Sequence, residues 1–243
     1  MKGNGSKIKR TPSNIIFNLI AYSIILVLTV FCIFPLVLIV SGSFTQNSVL
    51  IREGYRIWPS VFSVASYQEL FKYPAGILKA YGSTIAITVI GTSIGLFVMS
   101  MTGYVLQRKD FFYRNRISFI IYFTTIFGGG MVPWYILLSK YLHLQNSYVA
   151  RVLPLLMTPF LIILMRTFIS SSCPVEIVES AKIDGAGDFK IFNSIVLPII
   201  GPGLATVGLF LALAYWNEWY LTSLFITNRD MYSLQFYLYD MLN

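Results

Sequence analysis

The side chains best suited to chemistry are the carboxylates of one polar interval, residues 174–203. Four of the chain's ten acidic residues lie there, namely Glu176, Glu179, Asp184 and Asp188. Charged groups cost several kcal/mol inside a bilayer, so an interval that carries them between two apolar stretches must lie on a membrane face. At that position the carboxylates are suited to polar contacts with a neighbouring surface, which belongs either to the rest of the chain or to another protein.

Catalytic and nucleotide-binding patterns are missing from the sequence. The phosphate-binding pattern G-x-x-x-x-G-K-[ST] does not occur, and residues 3–7 (Gly-Asn-Gly-Ser-Lys) have the wrong spacing. The single histidine, His143, has no cysteine or carboxylate cluster beside it, and Cys32 and Cys173 give no disulfide framework. The sequence therefore predicts a protein that is not an enzyme and that binds neither a cofactor nor a metal ion.

A helix, a glycine turn and a second helix are predicted within the polar interval. Pro174 suits the first helical position, and the glutamates after it lie where the helix dipole favours anions. Gly185 tolerates the left-handed backbone of a helix end, and Asp188 can cap the next helix, which ends or kinks at Pro198. The first helix has only about ten residues, fewer than the ~12–15 that hold up alone in water, so something must pack on it.

Three short motifs follow one another in this interval: Glu179-Ser180-Ala181, Asp184-Gly185-Ala186, and Ile-Val-Leu-Pro at 195–198, with Pro202 after them. Their order resembles the EAA loop of ATP-binding-cassette (ABC) importer permeases, which reads E-A-A-x-x-x-G and then I-x-L-P. Ser180 stands where the motif has an alanine, which exchanges one small residue for another. The motif is specific to that importer superfamily.

The resemblance implies that residues 171–200 form a cytoplasmic coupling loop whose first helix sits in a groove of a separate ATPase subunit. Glu179 would make the polar contact with the ATPase, and Gly185 would provide the turn. The residues implied in ATPase coupling are Glu176, Glu179, Ser180, Ala181, Asp184, Gly185, Ala186, Leu197 and Pro198. ATP and Mg would be bound by the partner ATPase and not by this chain.

Composition independently predicts an all-α, polytopic bundle of transmembrane helices. The chain is 56% hydrophobic and only 12% charged, about half the ~25% of ordinary soluble domains. Its net charge of +8 lies in short loops beside apolar stretches, which indicates membrane orientation and not nucleic-acid binding. The predicted spans cover about 15–40, 82–106, 117–138, 148–169 and 203–226, within a permease domain of residues 15–243.

Two basic clusters set the predicted orientation in the membrane. A basic tail, residues 1–14, precedes a run too long for the ~7–15 residues of a signal core, so we predict a retained anchor, kinked at Pro35, with a cytoplasmic N-terminus. A cleaved signal peptide is the alternative. The second cluster, 107–116, lies two crossings later and is also predicted to be cytoplasmic, whereas 44–80 forms an external loop. The same alternation independently places 171–200 in the cytoplasm.

Glycines mark two features of the predicted spans. Gly91 and Gly95, four residues apart, predict a face where two helix backbones approach closely. Gly128-Gly129-Gly130 in the third span leaves two interpretations open. The helix either unwinds there, with Gly129 and Gly130 lining a translocation pathway, or it simply ends near the outer interface.

An aromatic and polar cluster lies in the outer part of the fifth predicted span. It consists of Tyr215, Trp216, Asn217, Glu218 and Trp219. One interpretation is an aromatic belt at the outer interface. The other is a surface that faces the pathway and binds sugar, because sugars are held by aromatic faces with a few polar groups.

Most of the chain resembles the permeases that import carbohydrates and oligosaccharides. The matching stretches include Trp58-Pro59, Gly91-Thr92, residues 124–133, the coupling loop and Tyr215-Trp216-Asn217. The resemblance implies a heterodimer with a second permease subunit, two ATP-binding subunits, and a solute-binding lipoprotein or periplasmic binding protein. It also implies a multi-pass protein of the prokaryotic inner membrane.

One feature departs from that pattern. Such permeases usually have six spans, whereas residues 228–243 contain no further apolar run, so a sixth span is expected to be missing. An ABC permease for a non-sugar solute is one alternative function. An ion-coupled secondary transporter is another, for which Glu218 would be the one plausible carboxylate within a span.

Overall fold

The computed structural model describes residues 12–72 and 74–242 of the chain. Most of the predicted basic tail, residues 1–11, therefore lies outside the described residues. The described residues are overwhelmingly helical and form no strand beyond one bridge pairing between Thr45 and Phe62. The predicted all-α fold is confirmed, and the chain divides into two compact units, 1–74 and 75–243.

The first unit contains three helices, which are α1 (Pro12–Ser43), α2 (Asn47–Glu53) and α3 (Ala65–Lys72). The longest, α1, has 32 residues and continues through Pro35 to Ser43 without interruption. Its apolar side chains are exposed along nearly its whole length. At 1.5 Å per residue it is about 48 Å long, which is more than the hydrocarbon thickness of a bilayer.

The predicted external loop 44–80 is more ordered than a loop. It contains α2 and α3, and its last residues, from Pro74 onward, already belong to the next long helix. The Phe44 and Phe62 rings stack with centroids 5.4 Å apart, and the Tyr67 hydroxyl lies 2.9 Å from Ser43 Oγ. The helix that contains the predicted span 82–106 begins at Pro74, which can serve as an early helical residue because its missing N–H costs nothing there.

The second unit is built from eleven helices within the described residues. They are α4 (Pro74–Gln107), α5 (Arg114–Ile126), α6 (Met131–Ile136), α7 (Tyr148–Val152), α8 (Pro159–Ser172), α9 (Val175–Ile183), α10 (Asp188–Ile191), α11 (Leu197–Ile199), α12 (Gly201–Trp216), α13 (Tyr220–Phe225) and α14 (Leu234–Leu242). Short π-helical turns follow α6 at Leu137–Tyr141 and α10 at Phe192–Val196.

Five spans can be formed from these helices, as predicted. By length and composition, α1 and α4 are each sufficient to cross a membrane. Three bent pairs could each provide one more span: α5 with α6 and its π-turn, α7 with α8, and the α10–α11 segment with α12. Their bends are 116°, 49° and 84° respectively, so these segments are broken where the sequence predicted continuous helices or a loop.

The third predicted span unwinds at its glycines. Helix α5 ends at Ile126, the chain is non-helical over 127–130, and α6 begins at Met131. Gly130 has a φ of +85°, a conformation that residues with a Cβ rarely adopt. The helix is therefore interrupted at the glycines and a new helix follows them, while the lining of a pathway by Gly129 and Gly130 stays a prediction.

The fifth predicted span, 203–226, is also two helices. Helix α12 ends at Trp216, and α13 begins at Tyr220 after a non-helical break at 217–219. Hydrophobicity alone did not reveal this break, which contains Glu218, a carboxylate paired with Arg151 67 positions away in the chain.

The glycines of α4 form its packing face, as predicted. A Cβ added to Gly91 would lie 2.5 Å from the Tyr215 ring, and one on Gly95 would lie 2.6 Å from the Leu211 side chain. Close approach of α4 and α12 therefore depends on the glycine at Gly91, whereas at Gly95 the flexible end of Leu211 could shift away from a Cβ. Farther along α4, Gly103 faces the backbone of Arg166 in α8. Through this face α4 contacts both α12 and α8.

Candidate functional site

Helix α9 lies where the sequence predicted the coupling helix. It begins at Val175, directly after Pro174, so Pro174 is the residue before the helix and not its first residue as predicted. At its other end, Gly185 has a φ of +77° and its N–H donates to the Lys182 carbonyl at 3.0 Å. The predicted left-handed glycine turn is confirmed.

The two faces of α9 differ in exposure. Ala181 is buried and Val178 half-buried, and these residues attach the helix to the rest of the second unit. The opposite face is exposed and carries Glu176, Glu179, Ser180 and Ile183, of which Ile183 is 87% exposed. Their spacing of three, four and seven residues from Glu176 forms one stripe along a helix, which we call the outer stripe of α9.

The remaining predicted coupling residues are distributed over the rest of the loop. Asp184 is exposed at the C-terminal end of α9, and Ala186 is half-buried against the core. Leu197 and Pro198 lie in the separate helix α11, beyond the π-helical turn, where Leu197 is half-buried and Pro198 exposed. The structure thus brings the α9 residues together on one surface and places Leu197 and Pro198 on another element.

The predicted capping role of Asp188 was wrong. Gly187 occupies the capping position of α10, and Asp188 is the first helical residue and makes no side-chain cap. Its carboxylate instead lies 2.5 Å from Nη1 of Arg108. Asp188 thus pairs with a guanidinium from the predicted cytoplasmic loop 107–116. Because this partner is distant in the chain, the local sequence indicated a capping role instead.

Arg108 belongs to a network of four charged residues that sequence reasoning missed. Its Nε and Nη2 atoms lie 2.9 and 2.5 Å from the carboxylate oxygens of Asp110. Lys182 of α9 donates to the same Asp110 carboxylate at 2.5 Å and lies 4.0 Å from Asp188. Hydrogen bonds from Arg108, and then from Lys182, hold the pKa of Asp110 well below its usual range. We call Arg108, Asp110, Lys182 and Asp188 the charge network.

This network brings two of the predicted loops together at one end of α4. Loop 107–113 and the α9–α10 segment meet at the C-terminal end of α4. At the N-terminal end of α4, Lys79 pairs with Asp230 at 2.8 Å, and Ser83 and Arg151 both bond the Met231 carbonyl. The opposite placement of these two sets of contacts agrees with the predicted alternation of loops.

The predicted pathway residues of the fifth span divide into two groups. Tyr215 is fully buried against Gly91, and its hydroxyl donates to the Val152 carbonyl at 2.8 Å. Trp216 is half-buried, whereas Asn217 and Trp219 are exposed. Trp216, Asn217 and Trp219 therefore present surface at the break between α12 and α13, whereas Tyr215 packs inside the bundle.

Glu218 lies in this break and is held in place by hydrogen bonds and an ion pair. Its Oε1 atom accepts hydrogen bonds from the N–H groups of Leu221 and Thr222 at 2.5 and 3.1 Å, which caps α13. Its Oε2 atom accepts from the Thr222 hydroxyl at 2.8 Å and from Arg151 Nε at 3.2 Å. Both charged side chains are buried, with side-chain exposures of 4% for Glu218 and 0% for Arg151. The carboxylate is therefore held by four donors.

The unwound segment of the third span connects to the same region through its following helix. Gly129 and Gly130 are exposed in the 127–130 segment that leads into α6. Trp134 and Tyr135 of α6 then pack on Phe225 of α13, with ring centroids 5.3 and 5.5 Å apart. Each of the two breaks is thus followed by a short helix, and those two helices pack on each other.

Comparison with known proteins gives consistent results. No family model matches the chain. It is 33% identical over 222 residues to the polygalacturonan/rhamnogalacturonan transport system permease protein YtcP of Bacillus subtilis, covering 91% of this chain and 77% of that protein. It is also 28% identical over 206 residues to the arabinooligosaccharides transport system permease protein AraQ of Halalkalibacterium halodurans, covering 83% and 73% of the two chains.

A solved structure has the same fold. It is a bacterial ABC transporter involved in the import of the acidic polysaccharide alginate, and one of its chains superposes with a TM-score of 0.83 at 25% identity. The match covers 96% of this chain and 82% of that chain.

Proposed function

This chain belongs to the family of permease subunits of sugar ABC transport systems, and from this premise we propose that it forms half of the membrane pathway of an ATP-driven importer. Its cargo is a sugar or oligosaccharide, and its energy comes from separate ATPase subunits that bind ATP and Mg. The observation that carries the proposal is the outer stripe of α9, which leaves two glutamates and a large apolar side chain exposed on a helix attached by its other face.

Helix α9 is suited to dock on another protein. A nine-residue helix is too short to be stable by itself, and its inner contacts alone leave Ile183 and Ile177 exposed. A groove on an ATPase subunit would cover these apolar side chains, while Glu176 and Glu179 would meet basic groups at its rim. Closure of two ATPase subunits would then move two such helices, one from this chain and one from a second permease.

The break at 217–219 is the proposed contact surface for the sugar. Trp216 and Trp219 provide apolar ring faces, and Asn217 provides an amide beside them. Tyr215 and Glu218 serve this surface from within, because one packs the end of α12 against α4 and the other caps α13. Exposed backbone at Gly129 and Gly130 contributes to the same pathway, since non-helical backbone at membrane depth requires a polar or protein-lined environment.

The proposed assembly follows the orientation predicted by the basic residues. The N-terminus, loop 107–113 and α9 lie in the cytoplasm of a prokaryotic cell, and the complex is embedded in its inner membrane. A solute-binding lipoprotein or periplasmic binding protein delivers the sugar to the external face of a permease heterodimer. The two relatives are named for the transport of polygalacturonan/rhamnogalacturonan and of arabinooligosaccharides, and the solved structure is involved in the import of alginate, which supports a carbohydrate cargo.

Reconstitution tests this function directly. The chain is tagged, purified from native membranes with the proteins that accompany it, and placed in proteoliposomes with a panel of labelled oligosaccharides. We expect an ATPase and a second permease to co-purify, and uptake to require ATP and to survive collapse of ion gradients. Uptake that persists without ATP and stops when the ion gradient collapses would contradict the proposal and support a secondary transporter.

A further inference from the structure

We propose that Arg108 is a positioning residue that fixes the coupling loop to the C-terminal end of α4, so that α9 and α4 move as one body. The inference rests on the proposed role of α9 in ATPase coupling and names the helix that receives its movement. Arg108 directly follows α4, whose last residue is Gln107. At this position the Arg108 side chain can attach the C-terminal end of α4 to the coupling loop.

The guanidinium of Arg108 is almost enclosed by its partners. Its side chain is 17% exposed, with two nitrogens on Asp110 and the third on Asp188. The same group lies 5.8 Å from the centroid of the Tyr104 ring in the last turns of α4. Arginine is suited to this arrangement because its planar fork can bind two carboxylates while stacking on an aromatic ring.

The charge network spans the glycine turn between α9 and α10. Lys182 precedes Gly185 and binds Asp110, whereas Asp188 follows Gly185 and binds Arg108. Gly185 itself has a left-handed backbone and open space where a Cβ would stand, so no side chain packs on that side of the turn. Without the network, a displacement of α9 would be absorbed by rotation at this turn.

An apolar contact reinforces the same attachment. Phe192, in the π-helical turn after α10, is buried and lies between Phe97 and Tyr104 of α4, with centroid distances of 5.9 and 5.7 Å. The coupling loop is therefore joined to α4 by charge at its exposed edge and by aromatic packing beneath it. A network of several charges contributes more to stability than an isolated ion pair on the surface does.

Helix α4 leads from this attachment to the proposed pathway. Gly91 of the same helix supports the ring of Tyr215, which precedes the break at 217–219. A rigid displacement of α4 would therefore reach the end of α12 without any intervening flexible segment. Arg108 determines how much of the movement of α9 enters this route.

A mutant cycle tests the role of Arg108. Arg108→Gln, Asp188→Asn and the double variant are compared in the reconstituted complex for sugar taken up per ATP hydrolysed. We expect each single variant to lower this ratio about fivefold or more, in the range usual for coupling between sites. The double variant should be no worse than the worse single variant, because both remove one interaction. Arg108→Lys keeps the positive charge but lacks the planar guanidinium, so its ratio of uptake to ATP hydrolysis should lie between those of the wild type and Arg108→Gln.

Lys109→Gln is the matched control. Lys109 is the adjacent basic residue, is exposed, and forms no ion pair within the part of the chain that the structure describes. It should leave the ratio unchanged. If the Arg108→Gln protein fails to assemble, the Asp188→Asn variant still tests the proposal. The Asp188 side chain is 62% exposed, and its substitution leaves the pair of Arg108 with Asp110 intact.

The outcomes separate this inference from the proposed function. An unchanged ratio in Asp188→Asn, or losses that multiply in the double variant, would overturn the role of Arg108. If Glu179→Arg abolishes coupled uptake while the Arg108 and Asp188 variants behave as wild type, only the present inference fails. If Glu179→Arg is also without effect, the coupling role of α9 itself fails.

Discussion

Arg151 of α7 and Glu218, at the break between α12 and α13, form an ion pair inside the helical bundle, with 3.2 Å between Nε and Oε2. The two residues are 67 positions apart in the chain. Arg151 Nη1 also bonds the Ser83 hydroxyl of α4 and the Met231 carbonyl, so one guanidinium connects three separate segments. Glu218 at the same time caps α13, which makes this pair the organising contact of the broken fifth span.

Breaking the Arg151–Glu218 pair should strongly destabilise the protein. Arg151→Met leaves a buried carboxylate without its partner, and such losses cost about 3–5 kcal/mol. Thermal unfolding of the detergent-purified protein would measure the effect as a clear drop in Tm. Arg229→Met is the matched control, because Arg229 is 80% exposed and its pair with Asp240 contributes about 1 kcal/mol or less. Equal Tm values for the two variants would contradict the importance of the buried pair.

Gly91 should not tolerate a larger side chain. Gly91→Val places atoms against the Tyr215 ring, where even a Cβ would lie 2.5 Å away, and overpacking of this kind costs about 1–3 kcal/mol. We expect a lower Tm and weaker uptake, because the end of α12 must shift. Gly82→Val on the same helix meets nothing within 4 Å and should be close to neutral. A Gly91→Val protein as stable as Gly82→Val would argue against the close approach of α4 and α12.

The exposed aromatics of the fifth-span break should determine sugar affinity. Trp216→Ala and Trp219→Ala each remove one ring face; a contact worth about 1 kcal/mol corresponds to an approximately fivefold higher KM for uptake. ATP hydrolysis and assembly should be retained, because neither side chain is fully buried. Trp58→Ala, which alters an 82% exposed indole of the first unit, is the control. Unchanged KM in both tryptophan variants would place the sugar elsewhere.

The Gly185 turn should be required for its backbone conformation. Gly185→Val forces a β-branched residue to a φ of +77°, although nothing lies within 4 Å of the added Cβ. The strain should misplace α9 and uncouple ATP hydrolysis from uptake. Gly187→Val is a close control in the same loop, since it also has open space but an ordinary φ of −69°. Should both variants transport normally, the turn has no role in coupling.

Charge reversal on the outer stripe should have the same consequence as strain in the turn. Glu179→Arg changes an exposed side chain without disturbing the inner contacts of α9, so the chain itself should remain folded. We expect uptake to be lost while ATP hydrolysis by the complex continues or rises. Glu69→Arg, on the exposed helix α3, is the control for a reversed surface glutamate. Normal uptake by Glu179→Arg would remove this residue from the coupling surface.

Features encoded within a few neighbouring residues were predictable from the sequence. The five apolar segments, the glycine turn at Gly185 and the small-residue face at Gly91 and Gly95 all have local signals, and the structure shows each of them. The unwinding near Gly130 was one of two interpretations, because a glycine run is compatible both with a break and with a helix end.

Features that depend on distant partners were not predictable. The pairing of Glu218 with Arg151 has no local signal, because the two residues are 67 positions apart in the chain. Asp188 was assigned to a cap because Arg108 lies far upstream in another loop. The sequence indicated the charge network only indirectly. Two loops that carry opposite charges were predicted on one membrane face, where such charges can pair.

Cross-linking from α9 gives the most direct test of the central claim that this helix is held by an ATPase subunit. Ser180→Cys is introduced after Cys32 and Cys173 have been replaced, and a short thiol–amine reagent is added to native membranes. We expect a covalent adduct between this chain and the ATPase, with a yield that changes when ATP is added. Labelling of the same cysteine by a membrane-impermeant reagent from outside intact cells, with no ATPase adduct, would contradict it.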